Sequence, residues 1–259
     1  MRVSDIVGVI EGFAPPALQE PWDNSGLQTG SPDQEVTGVM VGFDCTEDLV
    51  DEAVASGCNM VVTHHPLLFG DIRRLDPRDP VGAAVYAAVR GGVAVYSAHT
   101  SADKTPGGVS WAMAGRMGLR GVRVLDGGED GAGLGVVGEL PVPLDALQAV
   151  SLVKEAFGTS AVRTSRPVSV PVSTVALCGG SGSSLIGKAR EAGAQMYVCG
   201  DISYHHFFTP EDFMVVDAGH FETEAEIVDV LCTLLRKNFP NFAIRSRADA
   251  RDANPVKYF

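Results

Sequence analysis

Displacing the chain by 136 positions lays its second half on its first. Val39-Met40-Val41 then falls on Val175-Ala176-Leu177, Leu49-Val50 on Leu185-Ile186, Gly57 on Gly193 and Met60 on Met196. Both copies read strand, turn, helix, glycine, Met-containing strand. Tyr96-Ser97-Ala98-His99 corresponds more loosely to the stretch from Val216 to His220. Two similar α/β lobes related by internal duplication account for this pattern. A chain of 259 residues suits one large domain or two small ones, and the repeat selects two. The glycine-rich stretch from Asp126 to Gly135 is the natural hinge. It divides the chain into a first lobe, 1–126, and a second lobe with a C-terminal tail, 127–259.

Local patterning supports the α/β class. Ser4 to Phe13 reads as an amphipathic helix capped by Ser4. Val36 to Phe43 reads as a strand. Asp44 or Thr46 then caps a helix that runs to Ser56 and is closed by Gly57. Met60 to Thr63 is a buried strand, Pro80 to Arg90 a helix, and Val93 to Ser97 the next strand. Strands alternating with helices predict βαβ units and a largely parallel sheet. Asn241 to Phe259 reads as a last strand and a tail.

Charge and composition remove several functions. With 20 basic against 32 acidic residues the net charge is −12, which argues against nucleic acid as a partner. No apolar run reaches the roughly 18 residues of a membrane span. The nearest approach, Val81 to Ala98, is broken by Arg90, Gly91 and Gly92. Asp5 and Glu11 make the N-terminus a poor signal peptide, so the expected location is the cytoplasm. The five cysteines are odd in number and lack CxxC spacing. They fit buried reduced thiols and exclude a Cys-rich zinc site.

The six histidines are unevenly placed. His64 and His65 follow the strand ending at Thr63. His99 follows the next strand, with Asp103 four residues on. His220 follows the strand Met214 to Val216, with Glu224 four residues on. All three clusters stand at carboxyl ends of predicted parallel strands, the edge where open α/β sheets bind ligands. Neighbours in an extended segment point to opposite sides, so His64 and His65 suit two nearby ions better than one. Asp103 can complete one site and His220 the other, with Glu224 as a bridging carboxylate. That is a dinuclear arrangement. Imidazole and carboxylate donors suit Zn, Mn, Fe or Ni without choosing among them. Two divalent ions against two carboxylates leave a site near +2, which favours small anionic substrates.

Three other features carry chemistry less specifically. Gly179-Gly180-Ser181-Gly182-Ser183-Ser184 can cradle a phosphate, but it lacks the Walker Gly-Lys-Ser/Thr and fits a tight structural turn better. His205 and His206 are candidate catalytic residues, able to bind substrate or shuttle protons, or else surface polar residues. Trp22-Asp23-Asn24-Ser25-Gly26 reads either as a functional motif or as an Asx turn with a packed Trp.

Pro21 to Leu27, Thr63-His64-His65-Pro66-Leu67-Leu68-Phe69, His99-Thr100-Ser101-Ala102-Asp103, Gly200 to His206, Asp217 to Glu224 and the terminal Asn254-Pro255-Val256-Lys257 together resemble the NIF-three-like family. Its bacterial members are often labelled GTP cyclohydrolase I type 2 homologues. The resemblance runs through nearly the whole chain in the same order. It implies two related α/β lobes around a dinuclear metal centre, assembled into a toroidal homohexamer. It implies that His65 and Asp103 bind one metal, His64 and His220 the other, and Glu224 both. Many members carry Asn and a larger apolar residue where this chain has Ser101-Ala102, which bears on the pocket wall rather than on the ligands. Longer members have a domain inserted between the lobes, and the interlobe segment here is too short for it. The label implies opening of the guanine imidazole ring by hydrolytic attack at the carbon between two nitrogens. His205 or His206 would then protonate a leaving nitrogen. The expectation is a metal-dependent hydrolase of a small anionic substrate, GTP among them. The alternative is a metal-binding assembly or regulatory protein without significant turnover.

Overall fold

The computed structural model describes residues 1–128, 131–247 and 254–258. Helix α1 (Val3–Phe13) starts ahead of the expected Ser4 cap, because the Asp5 carboxylate accepts the Arg2 backbone N–H at 2.7 Å and closes the first turn. Strands β1 (Gly26–Thr29) and β2 (Val39–Gly42) follow. Thr46 caps α2 (Glu47–Ala55), its hydroxyl accepting the Leu49 N–H at 3.2 Å. Asp44 is left for another task. Next come β3 (Met60–Thr63), α3 (Pro80–Gly91) and β4 (Ala94–Ser97), close to their expected bounds. Beyond them lie α4 (Thr100–Lys104), α5 (Val109–Arg116), β5 (Arg120–Gly127), β6 (Gly133–Leu144) and α6 (Ala146–Phe157). The chain continues through β7 (Arg163–Thr164), β8 (Val172–Ser181), α7 (Ile186–Glu191), β9 (Met196–Gly200) and β10 (Met214–Asp217). It ends with α8 (His220–Glu224), α9 (Ile227–Asn238) and β11 (Ile244–Ser246).

Two compact units result. One comprises residues 1–102 and 227–257, the other 103–226 and 258–259. The first unit takes in residues 227–257 because the chain returns to its first sheet. β11 pairs in parallel with β2, Ile244 opposite Val39. Of the glycine-rich stretch expected as a hinge, Glu129 and Asp130 lie outside the described residues. Its flanks, β5 and β6, are antiparallel partners within one sheet. Of the expected tail, residues 248–253 and 259 also lie outside the described residues.

The first unit's sheet has the order β1-β4-β3-β2-β11, parallel except for β1 at its edge. Every residue of β2, β3 and β4 is buried, as short apolar strands covered on both faces must be. One face carries α2 and α3, whose Leu49, Val50, Ala84 and Ala88 pack with Val61 and Val95. The second unit's sheet is mixed, with the order β5-β6-β8-β9-β10-β7. Strands β8, β9 and β10 are parallel, and antiparallel strands flank them on both sides. Val39 stands opposite Met60 in the first sheet, and Val175 opposite Met196 in the second.

All five cysteines are free thiols. Burial, with Asp44 adding to it, pushes Cys45 up to about 12. Burial pushes Cys232 up to about 11. Among the described residues no helix is long and apolar enough to cross a membrane.

Candidate metal centre

Histidines gather where β3 and β4 end. At the end of β3 the chain does not stay extended. The N–H groups of His64 and His65 both donate to Phe43 O, at 3.1 and 3.2 Å, which turns the backbone at once. The two imidazoles therefore do not diverge as an extended pair would. Their centroids lie 5.0 Å apart and their planes differ by 38°. His99, just beyond β4, joins them. Each of the three offers a ring nitrogen within 4.8 Å of the other two. His99 was visible in the sequence as part of a strand-end cluster, but it is absent from the ligand set the resemblance implies.

Each of these rings is oriented through Nδ1. His65 Nδ1 lies 2.7 Å from Asp44 Oδ1, and His99 Nδ1 lies 2.7 Å from Asp23 Oδ1. His64 Nδ1 lies 3.1 Å from Ala98 O. A carbonyl only accepts, so His64 carries its proton on Nδ1 and presents Nε2 as the lone-pair nitrogen. Carboxylate partners favour the same tautomer in the other two. This carboxylate–imidazole pairing is how proteins set metal-binding histidines. Asp23 is fixed in turn by Thr100 N–H at 3.1 Å and Ser25 Oγ at 2.8 Å. Burial alone would raise its pKa. The hydrogen bonds from His99, Thr100 and Ser25 outweigh burial and hold it well below the usual carboxylate range.

The second unit has a cluster of its own. Helix α8 opens at His220, so Glu224 stands one turn on, as the spacing required, and His220 Nε2 lies 3.0 Å from Glu224 Oε2. His220 Nδ1 lies 2.7 Å from Asp201 Oδ2, which repeats the orienting device. Asp201 is the one non-glycine among the described residues with positive φ, +52°. The backbone is bent into the left-handed region where it presents that carboxylate. Asp217, at the end of β10, accepts the Ile202 N–H at 3.0 Å and the Gly219 N–H at 3.1 Å, tying the loops after β9 and β10 together.

Glu224 is only 4% exposed. One of its oxygens lies within 4.8 Å of an Asp103 oxygen. Two carboxylates so close, one of them buried, are an arrangement that a shared proton or a bound cation stabilises. The donor set therefore fits divalent metal. Cys178 does not enter it. Burial, then the charges of Asp103, Cys199 and Glu224, hold that thiol protonated.

The glycine-rich stretch proves to be packing space for Glu224. Its first residues end β8, and the helix that follows, α7, has only six residues. A Cβ at Gly180 would stand 2.8 Å from Glu224 Cδ and 3.1 Å from His220 Cε1. At Gly200 a Cβ would meet the His220 backbone at 2.8 Å. The structural-turn reading holds, and the glycines serve the carboxylate directly.

His205 and His206 occupy a short 3-10 turn, Tyr204–Phe207, and are exposed. His206 Nδ1 lies 3.0 Å from Ser203 Oγ. Neither histidine belongs to a metal-capable group among the described residues. The orienting acids Asp23, Asp44 and Asp201 were missed as such in the sequence. Their common signal is an acid just past a strand's carboxyl end, or within a motif already singled out.

A family model described as Duf34/NIF3 (NGG1p interacting factor 3) matches residues 1–255. A "GTP cyclohydrolase 1 type 2 homolog" of Clostridium acetobutylicum is 33% identical over 236 residues, covering 89% of this chain and 88% of that protein. One from Lactococcus lactis is 35% identical over 233 residues, covering 88% and 89%. The crystal structure of a Bacillus cereus protein related to NIF3 superposes with a TM-score of 0.89 at 21% identity, covering 100% of this chain and 99% of that one. That last likeness speaks to fold alone. With a match along nearly its whole length, and with the histidine and carboxylate motifs in order, the chain belongs to the Duf34/NIF3 family.

Proposed function

We propose that His64, His65, Asp103, His220 and Glu224 hold two divalent metal ions, and that the protein is a cytoplasmic metal-dependent hydrolase of a small anionic, nucleotide-like substrate such as GTP. In this reading Glu224 would serve both ions, with the histidines and Asp103 divided between them. The observation that carries it is the shared orientation. Nδ1 of His64, His65 and His220 faces an oxygen in each case, Ala98 O, Asp44 Oδ1 and Asp201 Oδ2, which leaves Nε2 as the nitrogen that would face an ion. Bound there, the ions would supply Lewis-acid polarisation of the substrate and activation of water. Asp44 and Asp201 hold the imidazoles in place and raise their basicity. Anionic substrate would be held by direct coordination to the ions. His205 and His206 stand on the loop that also carries Asp201, and we assign them proton delivery to a leaving nitrogen. The two units are read as products of one duplication, supported by the matching registers of Val39 with Met60 and of Val175 with Met196.

Incubating protein loaded with Zn, Mn, Fe or Ni with a nucleotide panel tests the activity. A metal-dependent product from GTP or a related nucleotide is expected, with turnover lost in the His205→Ala/His206→Ala double variant. Absence of product with every metal favours the reading as a binding or regulatory protein. In the same reading the chain assembles as a closed homohexamer, which would hide apolar side chains exposed on the single chain, such as Val142 and Leu147. Light scattering should return six times the 27.2 kDa chain mass, and a persistent monomer would refute the assembly.

A further inference from the structure

We propose that Trp22 and Phe69 form a stacking platform for a planar heteroaromatic ring of the substrate. This rests on the function proposed above and names the part of the substrate the metal ligands do not recognise. Trp22 is 62% exposed and Phe69 50% exposed. A tryptophan on a slack loop would fold its ring onto the nearest apolar surface, since full burial of a large aromatic side chain is worth about 1.5–3 kcal/mol. Here the loop is not slack. Asp23 accepts the Asn24 N–H at 2.7 Å and the Ser25 hydroxyl at 2.8 Å, and the Ser25 N–H donates to Gln19 Oε1 at 3.0 Å. Asn24 Nδ2 donates to Leu68 O at 2.6 Å, while Gln28 Oε1 accepts the Leu68 N–H at 3.2 Å. These bonds stitch the Trp22 loop to the Phe69 loop. The expectation of a packed Trp22 is therefore corrected: an Asp-centred turn is present, and it holds the ring out.

The rings form a corner. Trp22 and Phe69 are edge to face, with centroids 6.0 Å apart at 89°. His99 completes the corner, 6.1 Å from Trp22 and 6.0 Å from Phe69. Such an arrangement sets one ring's face beside another's edge, so a flat ligand ring can stack on the first and touch the second. The corner is one ring away from the metal-capable histidines, because His99 belongs to both groups. It is also coupled to them through one residue, since the carboxylate that orients His99 belongs to Asp23, the neighbour of Trp22. Two rings cover far less than the roughly 800 Å² per partner of a stable protein interface, which favours a small ring over a second copy as the occupant.

The chain has two tryptophans, so Trp111→Phe leaves Trp22 as the sole indole emitter. In that background GTP and guanosine should quench emission saturably, and tripolyphosphate, which has no ring, should not. By equilibrium dialysis, Trp22→Ala should weaken GTP binding about tenfold or more, the scale of one lost base–aromatic stack. Trp22→Phe should retain most of it, tripolyphosphate binding should not change, and metal content should stay at the wild-type value. Equal GTP affinity in Trp22→Ala and wild type would overturn the platform. So would failure of GTP and guanosine to quench at millimolar concentration, or an emission maximum that shifts with protein concentration and so reports a second copy. Loss of metal and of tripolyphosphate binding in the wild type would instead count against the proposed function.

Discussion

Glu224→Gln protein is expected to emerge from desalting with both metal positions largely empty. The substitution keeps shape and removes one negative charge from a side chain that is 4% exposed and 3.0 Å from His220 Nε2. Changing an outer partner of a metal ligand costs about 10–100-fold in affinity, so loss of a shared carboxylate should cost more than about 100-fold. Both ions should suffer together, whereas His64→Ala should empty mainly one. Elemental analysis of the purified variants reads this directly. Thermal melts give a second measure. Added metal at about 100 times its Kd should stabilise wild type by about 2.7 kcal/mol and leave Glu224→Gln nearly unmoved. Unchanged metal content in Glu224→Gln would sink the shared-ligand assignment.

The second large effect is expected at a residue with no ligand atom of its own. Gly180 has φ +57°, and its missing Cβ is the space that the Glu224 carboxyl fills. Gly180→Ala carries about 1–2 kcal/mol of backbone cost for the left-handed conformation alone. It must also displace Glu224 or β8. Metal content should fall as in Glu224→Gln, together with a lowered melting temperature. Gly187→Ala is the matched control. It lies in α7 with nothing within 4 Å of the added methyl, so stability should be unchanged or rise by up to about 1 kcal/mol, with metal retained. Full metal occupancy in Gly180→Ala would show that the glycine is not the seat of the carboxylate.

Much of this was legible beforehand for local reasons. β3 runs from Met60 to Thr63 as expected, since three apolar residues and a β-branched threonine bounded by Asn59 and His64 favour a short buried strand. The spacing of His220 and Glu224 translated directly into one helical turn. Other features were misread because the deciding partner lies far away along the chain. Ser4 lost its capping role to the carboxylate of Asp5, and Asp44 lost its role to Thr46 and went instead to His65, 21 residues on. Asp23 and His99 are 76 residues apart, and no spacing rule links them. The sheet of the second unit is mixed rather than largely parallel because β5, β6 and β7 join its edges, and their pairing depends on non-local hydrogen bonds.

The amino-acid sequence by itself determined the α/β class, the family, the histidine and carboxylate residues with metal-binding chemistry, and their station at strand ends. Those follow from side-chain chemistry and short-range periodicity, which a chain carries whether folded or not. Only the tertiary structure decided that the two imidazoles after β3 turn to the same neighbourhood and that His99 joins them. It also decided that three carboxylates fix ring tautomers, that Gly180 makes room for Glu224, and that Trp22 is held out rather than packed. Each of these is a contact between segments distant in sequence. Such contacts are set by which backbone groups can satisfy their hydrogen bonds and which side chains fit the remaining space, and those quantities exist only once the sheets have formed.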